Sequence, residues 1–400
     1  MNSYRVFRTL GAAGVPLSFS VLAHASYITP IVAELPEYAG AVPRPGLTLY
    51  GVVDLALNYQ NAGGKSVISL QSGGRSTSRF GLMGKEDLGG GLAAEFSLEN
   101  GFNADSGALG ANGVIFNRQA WVGLASPAFG QLRLGNQDNV GYPVYLDPFG
   151  QVGTNSIYTS LGYAVVQTPT GSGFNADLGP GATQVAARVA NAVSWNSPRV
   201  AGFNLKLLHA FSNSASAPSR TNNDGAMLTW ARGPAALFGT YNRVWSAPVV
   251  LAPGQTATSV RNDLYSVGGL YDSGSWVLMG GFTQNAPHRA EAGIARNYTI
   301  GGIFPFGRHV LRASLLYRDT SGVRDRSGEL AKDAGFGGMF GYDYLLSKRT
   351  SLYGRAGFIR NFGISTVPFN GNSLPTMEGS TVPRTGVSPI TVSLGMAHAF

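Results

Sequence analysis

The chain of 400 residues contains no cysteine, and Asp, Glu, Lys and Arg together make up only 12% of it. The first absence excludes a disulfide scaffold and any thiolate metal or redox centre. The second is about half the usual share of charge and argues against an ordinary soluble enzyme surface. No apolar run after the N-terminus approaches the roughly 20 residues of a membrane-crossing helix. A mean hydropathy of +0.03 is accordingly not that of a helical bundle. The net charge is +8, yet the basic residues stand singly along the chain. A nucleic-acid face needs them clustered, so no nucleic-acid partner is expected. The five histidines are dispersed: His24 lies near the N-terminus, His209 and His398 on apolar faces, His288 in a loop and His309 at a strand start. None accompanies a recognisable nucleophile. Neither catalysis nor a cofactor nor a metal site is expected.

Glycine, by contrast, supplies 56 of the 400 residues, twice the ordinary share of about 7%. At the N-terminus, Arg5 and Arg8 precede the apolar stretch "LGAAGVPLSFSVLA" and the A-x-A site Ala23-His24-Ala25. That is the pattern of an export signal over residues 1–25. Its removal leaves +6, the two leader arginines being lost from +8. Residues 26–46 carry Pro30, Pro36, Pro43 and Pro45 without periodicity and read as an extension.

From Leu47 to Phe400 the period is two. "LTLYGVVDLALNY" sets Leu47, Leu49, Val53, Leu55, Leu57 and Tyr59 against Thr48, Asp54 and Asn58. "GLAAEFSLEN" sets Leu92, Ala94, Phe96 and Leu98 against Glu95, Ser97 and Glu99. Sixteen such segments are expected, near 47–60, 76–87, 91–102, 115–125, 129–137, 187–197, 200–213, 225–232, 235–246, 262–273, 275–285, 295–304, 308–320, 334–346, 350–362 and 388–400. Short turns alternate with long connections, the latter including 61–75, 102–114, 138–187, 247–261 and 361–387. A soluble sandwich also alternates. The aromatics at strand ends, among them Tyr50, Tyr59, Trp121, Trp195, Trp230, Tyr265, Trp276, Tyr317 and Tyr353, favour a transmembrane barrel. Such barrels carry aromatic girdles and an even number of strands, and closure leaves no unpaired edge in lipid. The fold class expected is all-β, a 16-stranded antiparallel transmembrane β-barrel.

Arg79, inside "STSRFGLMG" between Thr77 and Gly81 on the face opposite Phe80 and Leu82, sharpens that reading. A cation on a buried face costs several kcal/mol unless paired or wetted. A water-filled lumen removes the difficulty. Arg133, between Leu132 and Leu134, and Arg188, in alternation with Ala190, Ala192 and Ser194, join Arg79 on the lumen face. Arg312 and Arg318 do the same. Arg118 is placed there because Ala120 is small and Trp121 is read as outward. The connection 138–187 far exceeds the usual 4–6 residues and is long enough to fold into the lumen. Its Asp147 either faces the arginine wall or merely starts the turn before Pro148, a common role of Asp-Pro; the first is favoured. Lumen aromatics are not expected.

The segments "LTLYGVVDLALNY", "STSRFGLMGKEDLGGGLAAEFSLENGF", "FNRQAWVGLASPAFGQLRLGNQ", "NAVSWNSPRVAGF", "YDYLLSKRTSLYG" and "GMAHAF" resemble the trimeric general-diffusion porins of Gram-negative outer membranes. The resemblance runs from about Leu47 to Phe400. It implies a homotrimer in the outer membrane, an inward-folded third loop, and passive passage of small hydrophilic solutes and ions. It implies contact with outer-membrane lipid and lipopolysaccharide and with the barrel-assembly machinery, which would read the terminal Phe400. It also implies an arginine cluster facing acids on the third loop. Arg79, Arg118 and Arg188 match the cluster, while Asp147 in "DPFG" is the nearest acid. Two departures stand out: the entry to the first strand is long, and the third loop has few acids. With +6 and few opposing acids, a weak anion preference is expected; a substrate-specific outer-membrane channel is the alternative.

Overall fold

The computed structural model describes residues 45–400, except 112, 141–143, 152, 165, 169–170, 174, 213–222, 252–253, 290–291, 326 and 371. The leader 1–25 and all but the last residues of the extension 26–46 lie outside the described residues. The barrel wall is a single antiparallel sheet closed on itself.

Its strands are β1 (Gly46–Ala62), β2 in two segments (Lys65–Ser72 and Arg79–Gly89), β3 (Leu92–Gly101), β4 (Gln119–Ser126), β5 (Gly130–Asp138) and β6 (Arg188–Asn196). They continue with β7 (Phe203–Ala210), β8 (Asn223–Arg232), β9 (Ala235–Trp245), β10 (Arg261–Asp272) and β11 (Val277–Pro287). The last five are β12 (Ile294–Phe306), β13 (His309–Ser321), β14 (Asp333–Leu345), β15 (Thr350–Gly363) and β16 (Ile390–Ala399). Both segments of β2 pair with β1, from Leu55↔Ser72 to Ala62↔Lys65 and from Gly46↔Lys85 to Val52↔Arg79. They are therefore one barrel strand, and sixteen strands close the wall. Closure is by β1 against β16, from Val52↔Ala399 to Asn61↔Ile390. It is completed by Gly51 and Phe400, whose backbones exchange hydrogen bonds of 3.1 and 3.0 Å.

One expected loop is absent. Residues 61–75 form a hairpin through Gly63 and Gly64, both at positive φ, where glycine bears no steric cost. The strand then leaves the sheet only over residues 73–78.

Alternation determines the outer face as expected, with Leu49, Leu57, Phe80, Val122, Leu134 and Leu394 exposed there. Aromatics form two belts: Tyr265 and Tyr271 on β10, Tyr298 and Phe304 on β12, and Phe336 and Tyr342 on β14 each stand six residues apart. Six residues of strand are about 20 Å. Tyr50, Trp121 and Tyr353 do not belong to these belts. All three point inward, which corrects both the outward reading of Trp121 and the expectation of no lumen aromatics.

The largest apolar core lies inside the barrel. The third loop (139–187) enters the lumen, and its Leu146, Phe149, Ile157, Tyr158 and Leu161 pack on Phe238, Met279, Ile303, Leu316, Met339 and Ile359 of the wall. Inward glycines are the sockets. A Cβ on Gly281 would stand 2.6 Å from Leu146, on Gly341 2.6 Å from Phe149, and on Gly337 2.5 Å from Ile157. Close packing at interior density tolerates no such overlap. A second loop, 364–389, also turns inward. Phe369 is buried beside Met339 and Gly357, and Gln60 of β1 donates to the Asn370 carbonyl at 3.0 Å.

Candidate pore constriction

The wall opposite that core is charged. On β2 and β3, residues 79 and 99 both face inward, and Arg79 Nε lies 3.3 Å from Glu99 Oε2. Arg118 reaches the same carboxylate at 2.5 Å from a bend just before β4. Its position does not follow from alternation with Ala120, since Trp121 and not Val122 shares the lumen face. The Tyr50 hydroxyl donates to Glu99 at 2.9 Å. Two arginines thus share one acid, with a tyrosine completing its shell.

Arg133 also faces inward, its guanidinium 4.0 Å above the Trp121 ring. That is cation–π distance, and the carboxylates of Asp138 and Glu95 also lie near enough to attract its charge. Lys85 is paired with Glu95 at 2.9 Å. Arg188 stands at the rim, 3.0 Å from Asp138. The expected alternation with Ala192 and Ser194 is interrupted, because the register against β5 shifts between Gly135 and Gln137 and Asn191 takes φ 53°. A bulge of this kind moves the residues beyond it to the other face. Arg188 still lies close enough to Arg118 to repel it.

Across the lumen a second arginine group meets the tip of the third loop. Arg75, Arg312 and Arg355 converge on Asp343 at 3.5, 3.0 and 2.6 Å. Arg312 donates to the Pro148 carbonyl at 2.7 Å, and Arg355 lies 5.4 Å from the Phe149 ring centre. Farther along, Arg318 makes a two-point pair with Asp177 at 2.8 and 2.7 Å and donates to the Gly162 carbonyl at 2.8 Å. Bidentate pairs of this geometry fix orientation as well as attract. These arginines bind the loop to the wall.

Asp147 does not face the arginine wall. Its carboxylate is 0% exposed and accepts from the N–H groups of Phe149 at 3.1 Å and Gln151 at 2.9 Å and from the Ser156 hydroxyl. Arg312 is near enough to favour its charge, but burial dominates and raises its carboxyl above the ordinary carboxylate range. The turn-forming reading of Asp-Pro describes it better than the pore-facing one.

A charged wall facing an inward loop inside sixteen strands is matched by known proteins. A model of the Gram-negative porin family matches residues 12–363. The chain belongs to that family. Outer membrane porin protein 32 of Delftia acidovorans is 30% identical over 381 residues, spanning 92% of this chain and 98% of its own. An outer membrane porin protein of Bordetella pertussis is 27% identical, spanning 82% and 93%. Among solved structures, the anion-selective porin from Comamonas acidovorans superposes with a TM-score of 0.72 at 28% identity, over 89% of this chain and 99% of that one. Salmonella typhi OmpF, at 15% identity and a TM-score of 0.56 over 88% and 97%, shares the fold. This porin is an outer-membrane diffusion channel, and family membership places it among channels rather than enzymes.

Three residues central to this candidate constriction do not stand out from the sequence: Glu99, Asp343 and Arg75. Glu99 carried a usable signal, since it alternates with Glu95 opposite Phe96 and Leu98. Arg75 carried none, because it reads as part of a glycine-rich loop.

Proposed function

We propose that this porin forms a water-filled, passive pore for small hydrophilic solutes and ions that favours anions. The observation that carries the reading is the imbalance at the charged wall. Arg79 and Arg118 share the single carboxylate of Glu99, Arg133 rests on a ring, and Asp147 on the facing loop is turned away from the lumen. The acidic half of a transverse field is thereby weakened, and selectivity follows the remaining ring of charge. The likeness to an anion-selective porin supports the same direction. Reversal potential across a planar bilayer under a salt gradient tests it; a cation-preferring potential would sink the reading.

We assign the working unit as a homotrimer. Strands β3 to β7 have only 8–10 residues against 13–14 in β12 to β15. Their outer faces carry the exposed Val122, Leu124, Leu132 and Leu134 and, of aromatics, Phe96, Trp195 and Phe203. That is the side suited to another copy, while the belted side suits lipid and lipopolysaccharide. Crosslinking and sedimentation in detergent test the stoichiometry. The exposed terminal Phe400, whose ring covers Gly51, is retained as the aromatic read by the assembly machinery; Phe400→Ala should lower the amount inserted in the membrane.

A further inference from the structure

Residues 73–78 leave the sheet opposite only Val53 and Asp54, since pairing stops at Leu55↔Ser72 and resumes at Val52↔Arg79. The hydrogen-bonding groups of Asp54 serve this excursion. Its carbonyl accepts from Gly73 N at 2.9 Å and Ser78 Oγ at 3.0 Å, and its N–H donates to Ser78 Oγ at 3.1 Å. Its carboxylate accepts from the successive N–H groups of Gly74, Arg75 and Ser76 at 3.1, 2.9 and 2.6 Å. Consecutive backbone N–H groups of this kind form an anion-binding concavity, and here the anion is the protein's own. The Tyr353 hydroxyl of β15 adds a fourth donor at 2.5 Å.

The excursion sends two arginines in different directions. Arg75 goes across to Asp343. Arg79 goes along the wall to Glu99, its Nη1 also donating to Ser76 Oγ at 3.0 Å and the Thr77 carbonyl at 3.1 Å. Tyr353 links the same carboxylate to the loop-facing group, because Arg355 lies 5.0 Å from its ring centre. Asp54 is 0% exposed, so no passing ion touches it.

We propose that Asp54 is a positioning residue of the pore, setting anion preference by holding Arg75 and Arg79 in place and not by its own charge. The proposal rests on the anion-preferring reading above, and its sign separates it from a direct field effect. If Asp54 acted through charge, removing a negative group would raise anion preference. As a positioning residue, its loss lowers it. In Asp54→Asn one oxygen acceptor becomes an N–H₂ donor aimed at backbone N–H groups, so the excursion loosens and Arg79 leaves the constriction.

The test compares the full-length wild type with Asp54→Asn and Tyr353→Phe in planar bilayers under a potassium chloride gradient, after circular dichroism and gel mobility confirm the folded barrel. Asp54→Asn is expected to lower the anion-to-cation permeability ratio about threefold, the scale of one unit charge displaced by some 6 Å in water. Tyr353→Phe lowers it less, in the same direction. A folded Asp54→Asn protein whose ratio equals or exceeds that of wild type overturns the proposal. Should Asp54→Asn fail to fold, Tyr353→Phe and Ser78→Ala decide: a ratio unchanged or raised in both overturns it. A wild type without anion preference removes the parent reading and this inference with it. A wild type with that preference, kept or raised in the variants, removes the inference alone.

Discussion

The two halves of the lumen wall are built from the same alternating strands, yet they differ in kind. From β1 to β5 the inward positions hold Arg79, Lys85, Glu95 and Glu99, paired side chain to side chain along the wall, with Arg133 on the Trp121 ring and Asp54 held by backbone N–H groups and Tyr353. From β9 to β15 they include Phe238, Met279, Ile303, Leu316, Met339 and Ile359 with intervening glycines, packed with the third loop, and beside them the buried Arg312, Arg318, Asp343 and Arg355. Period two therefore separates inside from outside without saying whether inside is wet. Where the chain itself has filled the space, an inward residue is either apolar or a charge that the chain itself pairs, as Asp177 of the loop pairs Arg318.

The arginines at the boundary between the halves should give the largest effect. Asp343 is the shared carboxylate of Arg75, Arg312 and Arg355, and it is fully buried. Removing one partner of a buried pair costs about 3–5 kcal/mol, because the remaining charge is left uncompensated. Asp343→Leu should therefore lower the unfolding midpoint in detergent steeply, with the loop tip at Pro148 and Phe149 released. A midpoint unchanged from wild type would show that these arginines find water, and that the boundary is wetter than its geometry.

Overfilling a socket should act less strongly. A Cβ at Gly337 would stand 2.5 Å from Ile157 and 2.9 Å from the Phe358 carbonyl, and inserting methyl groups into a packed core costs about 1–3 kcal/mol. Gly337→Val is expected to loosen the third loop and raise the variance of single-channel conductance. Gly239→Ala, where the added Cβ meets nothing within 4 Å, should match wild type in both stability and conductance.

The difference between the halves also marks where sequence stopped being informative. Barrel, strand number and outer face were legible because alternation is local and lipid imposes it on every strand. Arg79 was legible for the same reason: its neighbours Phe80 and Leu82 fix its face. Trp121 was misread because an aromatic near a strand end fits either an outer belt or a seat for Arg133, and only the partner strand decides. Arg188 was put on the lumen face by parity, which a bulge at Asn191 interrupts. Asp147 was read by charge alone, whereas its role is set by Phe149, Gln151 and Ser156 in its own loop. The glycine excess was visible from composition, but its use as sockets depends on contacts between the loop and strands some 80 to 200 residues away, such as Ile157 with Gly337.

On the charged half, single charges can be moved without disturbing the core. Glu99→Gln removes the acid shared by Arg79 and Arg118, and Arg79→Ser removes one of the cations. A unit charge about 6 Å from a passing ion is worth about 0.7 kcal/mol in water, or roughly threefold in permeability. The permeability ratio should therefore rise toward anions about threefold in Glu99→Gln and fall by a similar factor in Arg79→Ser. Reversal potentials measure both. Equal shifts in the same direction would show that Glu99 acts by holding the arginines, as proposed for Asp54, and not through its charge.

The smallest expected effect lies on the covered half and concerns pH. Burial raises the Asp147 carboxyl above its ordinary 3.8, so the folded chain keeps a proton that the unfolded chain has already lost. Stability must then fall as pH rises through that interval, since the folded state binds more protons. Asp147→Asn carries no such titration. Although it gives up one acceptor at the loop turn, it should gain on wild type as pH is raised from about 3 to about 7, measured as the difference in unfolding free energy in detergent. A difference that stays flat or turns against the variant would mean that Phe149, Gln151, Ser156 and the nearby Arg312 stabilise the ionised carboxylate more than burial opposes it. Asp147 would then be an anion held inside the loop, much as Asp54 is held by the excursion on the other wall.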